Sequence, residues 1–183
     1  MPIKFYSEIS NRIKNADVIL VSDYAKGVID SALMQMLITS GKKIIVDPRP
    51  NHTDYYTNTF LITPNRKEAG EMLNLLPDHT LSPAEMAKKL HEKTNANILI
   101  TLGEDGMLLY TVDSITNIPT LARAVYDVTG AGDTVAAVIA LGVGIGLSLQ
   151  ESAQLANVAA GVVVGKVGAA TCSADELIEA IST

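Results

Sequence analysis

Asp127-Val128-Thr129-Gly130-Ala131-Gly132-Asp133-Thr134 is the most informative stretch of this chain. Two glycines flank a small residue, and the aspartate that follows precedes an apolar run over residues 135–147. This pattern predicts a tight turn that leads into a helix, because glycine adopts backbone angles that other residues resist. The first N–H groups of a helix lack intrahelical partners and carry partial positive charge, so an anion is favoured there.

A carboxylate beside such an anion site indicates phosphate chemistry. Asp133 would repel a bound phosphate unless it accepted the proton of a hydroxyl that attacks that phosphate. We therefore predict phosphoryl transfer to an alcohol, with Asp133 as the base. Taken alone, Gly-Ala-Gly-Asp is equally typical of an ordinary loop before a helix, because short glycine motifs are weak signals.

The composition is that of a globular protein without a nucleic-acid partner. A chain of 183 residues is long enough for a core, and we expect residues 1–183 to form a single domain. Hydrophobic residues make up 48% and charged residues 19%, which excludes a disordered chain. The 14 Lys and Arg against 20 Asp and Glu give a net charge of −6, so nucleic acid and anionic membrane surfaces are poor partners.

Three observations favour a soluble cytoplasmic protein. Cys172 is the only cysteine, which excludes a disulfide within the chain and suits a reducing compartment. Residues 1–15 are mixed and polar, unlike a signal peptide. The longest apolar run, residues 135–147, is shorter than the ~20 residues that a membrane span needs.

Short apolar runs alternate with helical patterns along the chain. Strands are predicted at residues 17–22, 43–46, 60–63, 97–102 and 107–110, with weaker candidates at 115–118 and 123–125. Helices are predicted at residues 30–38, 64–75, 82–94, 135–147, 149–166 and 173–181. This alternation predicts an α/β fold with a largely parallel sheet.

Polar or glycine residues follow four of the predicted strands, namely Asp23, Asp47, Asn65 and Gly103. The carboxyl ends of parallel strands meet at one edge of a sheet, and ligands bind there in α/β proteins. We therefore expect these four positions to converge on a site. Four separate solvated loops are the alternative.

Asn65 and Glu68 lie three residues apart at a predicted helix start, hence on one helical face. An amide and a carboxylate so placed could hold Mg²⁺ through its water shell. From spacing alone, a helix cap in which the glutamate returns the hydrogen bond is the better interpretation. Residues 101–106, Thr-Leu-Gly-Glu-Asp-Gly, are by themselves typical of a tight hairpin turn.

Competing nucleotide and metal motifs fail. The segment from Gly161 to Lys166 has one residue too few for a P-loop, and Val167 stands where a hydroxyl must bind Mg²⁺. The three histidines lack metal-ligand spacing, so zinc is not expected.

Residues 127–134, Asn65-x-x-Glu68 and residues 101–106 together resemble the ribokinase-like (carbohydrate kinase B) family. The resemblance implies a three-layer αβα fold in which Asp133 is the catalytic base. It also implies that the amides of Gly130, Ala131 and Gly132 form the anion hole. It favours a role for Asn65 and Glu68 in holding Mg²⁺ and phosphates, which reverses the preference that spacing gives.

The same resemblance implies where ATP lies. Thr101, Gly103 and Gly106 match the family's loop along ATP, and Asn157 matches a position near the adenine. The small residues around Asn157 would allow close packing over a base, and a tightly packed core helix explains them as well. ATP and Mg²⁺ are the implied cofactors, and a monovalent cation stays open as a further one.

A narrower resemblance concerns the acceptor. Residues 21–27 (Val-Ser-Asp-Tyr-Ala-Lys-Gly), 47–49 (Asp-Pro-Arg), 125–134 and 159–166 are similar to the heptose 7-phosphate kinase domains of ADP-heptose synthases. This implies ATP-dependent phosphorylation of a sugar phosphate, at O1 of heptose 7-phosphate, for lipopolysaccharide core synthesis. Asp23 and Lys26 would then face the sugar. Kinases of ribose, fructose phosphate or nucleosides are the alternative within the fold.

The match runs over residues 16–181, but the family's kinase domains are longer. The resemblance implies that the first family signature, much of the sugar pocket and the lid lie before residue 1. We therefore expect the chain to be inactive alone, and to form homo-oligomers because an exposed sheet edge invites self-association. A non-catalytic nucleotide-binding or assembly module is the alternative from another class.

Overall fold

The structure, a computed structural model, describes residues 3–121 and 126–182. Its helices are α1 (Ile3–Ile13), α2 (Ser31–Thr39), α3 (Arg66–Met72), α4 (Pro83–Thr94), α5 (Ala131–Gly144), α6 (Leu149–Val164) and α7 (Ala174–Ser182). Its strands are β1 (Val18–Ser22), β2 (Lys43–Asp47), β3 (Leu61–Ile62), β4 (Asn97–Thr101), β5 (Met107–Tyr110) and β6 (Ile115–Ile118). Two 3₁₀ turns lie at Pro50–Tyr56 and Gly103–Asp105.

The strands form one sheet in the order in which they occur along the chain, β1-β2-β3-β4-β5-β6. β1 to β4 are parallel, whereas β5 and β6 pair antiparallel as a meander that begins at the turn Gly103–Asp105. The predicted α/β fold is thus confirmed, with its parallel part in the first four strands. Because these four are parallel, their carboxyl ends share one edge of the sheet.

Alternate side chains of each strand enter two separate cores. Ile44 and Val46 pack with α2, α3 and α4 on one face of the sheet, and α1 packs on the same side. Ile45 and Leu99 pack with α5 and α6 on the other face. Near-continuous apolar strands of this kind are typical of a sheet covered by helices on both sides. The three-layer αβα architecture is confirmed.

Side-chain caps explain where several helices begin. Asp30 accepts a hydrogen bond of 2.8 Å from the Leu33 N–H at the start of α2. Ser82 and Ser148 form capping boxes with Glu85 and Glu151, so that side chain and backbone bond reciprocally. These contacts satisfy N–H groups that a helix start otherwise leaves unpaired.

Some elements differ from the sequence-based predictions; α5, for example, spans Ala131–Gly144 rather than residues 135–147. α3 ends at Met72 rather than near residue 75, because Asn74 takes a left-handed φ of 56° that a helix cannot continue. Helix α1 was not predicted; Phe5, Tyr6 and Ile9 pack against the core, and the Tyr6 hydroxyl donates to the Asp30 carboxylate at 3.1 Å. The predicted strand at residues 123–125 lies outside the described residues. Within the described part of the chain, no helix is long and apolar enough to cross a membrane.

Two glycines of the β4–β5 turn offer a matched test of the packing. Gly103 (φ 62°) and Gly106 (φ 83°) are both left-handed, but only a Cβ at Gly106 would collide with backbone, at 2.6 Å from Thr120 N. We expect Gly103→Ala to lower the free energy of unfolding by ~1–2 kcal/mol, the cost of a left-handed alanine. Gly106→Ala should lower it by a further ~1–3 kcal/mol because the site is overpacked. Urea unfolding measures both; equal losses would show that the turn is not packed against residues 118–120.

Candidate active site

A cavity of about 250 Å³ lies at the edge of the sheet where the parallel strands end. It is lined by the loops after β1, β2 and β3, by the end of β4 and by the start of α5. The lining residues are Tyr24, Asp47, Arg49, Thr63, Asn65, Glu68, Thr101, Gly130, Gly132 and Asp133. The structure thereby brings together Gly130 and Gly132 of the predicted anion hole, the predicted base, and the two residues predicted for the metal.

The start of α5 forms one wall of this cavity. Gly130 is its N-cap residue with a left-handed φ of 83°, and no side chain among the described residues caps the helix. Helices α2, α3, α4 and α6, in contrast, all begin at a side-chain cap. A Cβ built on Gly132 would meet nothing within 4 Å, so this position opens into free space. The Ala131 N–H donates to the Val128 carbonyl at 3.2 Å. The N–H groups of Gly132 and Asp133 have no partner among the described residues, and an anion is the kind of ligand that such groups bind.

Asp133 lies in the first turn of α5 and is exposed. Its Oδ1 accepts a hydrogen bond of 3.4 Å from the Tyr24 hydroxyl, across the cavity from the loop after β1. The ring of Tyr24 in turn lies under the Arg49 guanidinium, 5.3 Å from its centroid. Asp133 is thus a carboxylate at a helix N-terminus that the hydroxyl of a ligand in the cavity can reach, which is the geometric requirement for a general base.

The charges in the cavity are unbalanced. Three carboxylates, Asp47, Glu68 and Asp133, line it together with a single guanidinium, Arg49. Burial, followed by the negative charges of Glu68 and Asp133, raises the pKa of Asp47 to about 6. Arg49 lies 3.3 Å from Glu68 Oε1 and offsets part of the repulsion. A surplus of carboxylates around an anion site is suited to a bound cation.

Asn65 and Glu68 form the capping box of α3. Asn65 Oδ1 accepts a bond of 2.9 Å from the Glu68 N–H, and Glu68 Oε2 accepts one of 3.0 Å from the Asn65 N–H. The cap interpretation is confirmed, and both side chains also face the cavity. Within residues 3–121 and 126–182, no group of three His, Cys, Asp or Glu could hold a metal directly. An amide and a carboxylate oxygen are ligand types that suit Mg²⁺ held through its bound waters.

The residues predicted to face the sugar lie outside the lining of the cavity. Asp23 is 1% exposed, and its carboxylate is bonded to Ala25, His52 and Tyr56. Burial acts to raise the pKa of Asp23, but these hydrogen bonds stabilise the charged form and lower the pKa below its usual value. Lys26 is exposed on the same loop.

Of the residues predicted to contact ATP, Thr101 lines the cavity, whereas Gly103, Gly106 and Asn157 do not. Gly106 packs against the backbone of residues 118–120. Asn157 is buried in α6 and donates a bond of 2.7 Å to the Pro119 carbonyl. Both residues therefore hold the segment that follows β6.

Sequence reasoning did not assign Tyr24 or Arg49 to the site. Each follows a strand-end aspartate, Tyr24 directly after Asp23 and Arg49 two residues after Asp47. Parallel-sheet topology places both loops at the ligand edge. Their positions just after two parallel strands could therefore have predicted that Tyr24 and Arg49 belong to the site.

Comparison with known proteins finds similarity over nearly the whole chain. The model of the pfkB family carbohydrate kinases matches residues 5–176. The chain is 42% identical over 178 residues to the bifunctional protein HldE of Sulfurimonas denitrificans, covering 94% of this chain and 37% of the relative. It is 42% identical over 181 residues to the bifunctional protein HldE of Aliarcobacter butzleri, covering 96% of this chain and 38% of the relative.

Solved structures show the same fold at low sequence identity. Ribokinase from Thermotoga maritima superposes with a TM-score of 0.83 at 22% identity, over 95% of this chain and 59% of that one. Ribokinase from Arabidopsis thaliana, complexed with ribose and ATP, gives a TM-score of 0.82 at 20% identity, over 96% of this chain and 59% of that one.

Nearly all of this chain is therefore matched, but it spans only 37% and 38% of the lengths of these two relatives. The family model covers both the Asn65–Glu68 helix start and the Gly130–Asp133 turn. On this evidence the chain belongs to the pfkB family of carbohydrate kinases.

Proposed function

We propose that this chain is the ATP-binding and catalytic-base part of an ATP-dependent sugar-phosphate kinase, a phosphotransferase with an alcohol acceptor. One observation carries the proposal: the uncapped start of α5, with Asp133 in its first turn, shares a cavity with Asn65, Glu68 and Thr101. We further propose that residues 1–183 form one domain, since a single sheet connects both cores.

The residues at the start of α5 have two separate tasks in the proposed reaction. The amides of Gly130, Ala131 and Gly132 bind and stabilise the phosphoryl group, whose charge is spread over its oxygens during transfer. Asp133 accepts the proton of the attacking hydroxyl as its oxygen bonds to the γ-phosphorus of ATP, while the bond from that phosphorus to the bridging oxygen breaks and ADP leaves.

Asn65 and Glu68 would hold Mg²⁺ through water, with Asn65 at the N-cap and Glu68 in the first turn of α3. When bound, the ion neutralises charge on the phosphates of ATP. Because Glu68 is already paired with Arg49, its orientation in the cavity is fixed before the ion arrives.

The nucleotide contacts are proposed to be partly indirect. Thr101 lies in the cavity wall and would lie along ATP together with Gly103. Gly106 and Asn157 would shape the binding surface through the segment after β6, which both of them contact.

The acceptor is proposed to be heptose 7-phosphate, phosphorylated at O1. Support comes from residues 21–27 and 47–49, whose sequences are similar to those of heptose 7-phosphate kinases. Lys26, exposed on the first of these loops, would face the acceptor. A cytoplasmic location fits ATP as the phosphate donor, and a monovalent cation stays open as a further cofactor.

The isolated chain is proposed to be a poor catalyst. Asp133 is exposed and Tyr24 is 52% exposed, so the described residues leave the reacting position open to water. Phosphoryl transfer depends on positioning the acceptor and on excluding water. Phosphoryl transfer to heptose 7-phosphate would then need a further segment or chain over the cavity.

A second candidate function is a non-catalytic nucleotide-binding module that assembles through its sheet edge. β1 pairs with β2 alone within the described strands, and Leu20 on this strand is 39% exposed. Unpaired strand edges promote association, which also motivates the proposal of a homo-oligomer. Light scattering decides: a monomer at all concentrations would contradict self-association.

Gly132 provides a test of the anion hole that leaves the fold intact. A methyl group at this position meets nothing within 4 Å, so Gly132→Ala and Gly132→Val should both fold. We expect the unaltered chain and Gly132→Ala to bind Mg·ATP with a dissociation constant on the order of millimolar, about 4 kcal/mol. Gly132→Val should bind at least ~10-fold more weakly, because its side chain occupies the place of a phosphate. Titration followed by NMR measures this, and unchanged binding by the valine variant would contradict the anion hole.

Release of ADP in a coupled assay tests catalysis. We expect negligible sugar-dependent release from the isolated chain with heptose 7-phosphate, ribose or a nucleoside, and none from Asp133→Asn. Rates typical of kinases, ~1–100 per second, would show that the chain suffices alone. Any sugar-dependent activity that survives in Asp133→Asn would rule out Asp133 as the base. Preference for ribose or a nucleoside would contradict the heptose assignment.

A further inference from the structure

We propose that Asp23 is a positioning residue, which with Tyr56 and His52 holds Tyr24 and Arg49 in the wall of the cavity. The inference rests on the proposed function, because it concerns the same cavity. In this proposal Asp23 does not contact the sugar itself but acts on the site through the positions of Tyr24 and Arg49.

Asp23 is a charged side chain in a position where charge is costly. It is 1% exposed, and its Oδ2 lies 2.7 Å from the Tyr56 hydroxyl and 2.7 Å from His52 Nδ1. A buried carboxylate is tolerated only when its oxygens are hydrogen-bonded, and apolar side chains of similar size are often at least as stabilising. Fold stability is therefore a weak reason for a carboxylate here.

One branch of this network sets the direction of Tyr24. Asp23 Oδ1 accepts a bond of 2.7 Å from the Ala25 N–H, and Ala25 takes a left-handed φ of 51°. This conformation is unfavourable for a residue with a Cβ, so surrounding contacts must hold it. The turn leaves the Tyr24 hydroxyl 3.4 Å from Asp133 Oδ1.

The other branch sets the position of Arg49. The Tyr56 hydroxyl donates to Asp23 and accepts a bond of 2.9 Å from the Arg49 N–H. From this fixed backbone the guanidinium reaches Glu68 at 3.3 Å and covers the Tyr24 ring. Asp23 thus supports two side chains that face the cavity while lying outside its lining.

The alternative is a network that only stabilises the fold by joining the loops after β1 and β2. That role predicts lower stability with unchanged ligand affinity of the folded protein. Positioning predicts that affinity changes, and that it changes through Arg49.

Tyr56→Phe separates the two roles, because it removes one hydroxyl and keeps a ring that is fully buried. The matched control is Tyr55→Phe, which removes a hydroxyl from the neighbouring residue of the same 3₁₀ turn. Each variant of the full chain is titrated with Mg·ATP by NMR. The side-chain Nε–Hε signal of Arg49 reports its order without any ligand.

We expect Tyr56→Phe to weaken Mg·ATP binding about 10-fold, the worth of one charge-assisted hydrogen bond. Arg49→Gln should weaken binding at least as much. The double variant should bind no more weakly than Arg49→Gln, because Tyr56 acts through Arg49. Tyr55→Phe should stay within about 2-fold of the unaltered chain.

The proposal is wrong if Tyr56→Phe binds as tightly as Tyr55→Phe, or if the effects of Tyr56→Phe and Arg49→Gln multiply. If the unaltered chain does not bind Mg·ATP, the proposed function fails instead. The Arg49 signal then decides on positioning: lost order in Tyr56→Phe supports it, and unchanged order overturns it. If Tyr56→Phe does not fold, Asp23→Asn, which keeps the shape without the charge, takes its place with the same expectations.

Discussion

The partial positive charge at the start of α5 is the feature around which the cavity is built. No described side chain caps the start of this helix. Val135, Ile139 and Val143 pack the helix against the sheet. Of its first N–H groups, that of Ala131 donates to the Val128 carbonyl, whereas those of Gly132 and Asp133 have no partner among the described residues. The left-handed conformation of Gly130 forms the turn that leads into the helix. The open space at Gly132 leaves the helix start accessible to a ligand. An anion is the ligand that completes such a helix start.

The other side of the cavity is strongly acidic, which limits what that anion can be. Asp47, Glu68 and Asp133 surround the helix start with Arg49 as the single guanidinium in the lining, and repulsion among the carboxylates contributes to the raised pKa of Asp47. A lone phosphate would be repelled by these groups. A phosphate that arrives with a divalent cation would not be, because the cation offsets their charge. Shifted pKa values at such a place are typical of functional sites.

Much of the fold could be predicted because local signals agreed with the topology. The apolar runs of β2 and β4 indicated buried parallel strands, and Ser82 with Glu85 indicated the start of α4. The similar run of β1 also forms a parallel strand, but this strand lies at the edge of the sheet and only its Val21 is buried. Helix α1 was missed although Phe5, Ile9 and Ile13 recur every four residues and so share one helical face. That periodic pattern was the signal that could have predicted the helix, and the same apolar face packs against the core.

The candidate site was predictable where backbone geometry determines it and less so where long side chains do. Gly130, Asp133, Asn65 and Glu68 occupy positions that a helix start fixes, so motif and structure coincide. The contact of Tyr24 with Asp133 joins residues 109 positions apart, and no sequence pattern encodes it. The burial of Asp23 was missed for a related reason, since its partners His52 and Tyr56 lie on a different loop.

A crystal structure of this chain with Mg²⁺ and a non-hydrolysable ATP analogue would show whether the start of α5 binds the terminal phosphate. We expect the terminal phosphate to lie within ~3 Å of the amides at the start of α5. The Asp133 carboxylate should face the open side of that phosphate, and Glu68 should contact a water bound to the metal. A nucleotide bound elsewhere, or a terminal phosphate turned away from residues 130–133, would contradict the account.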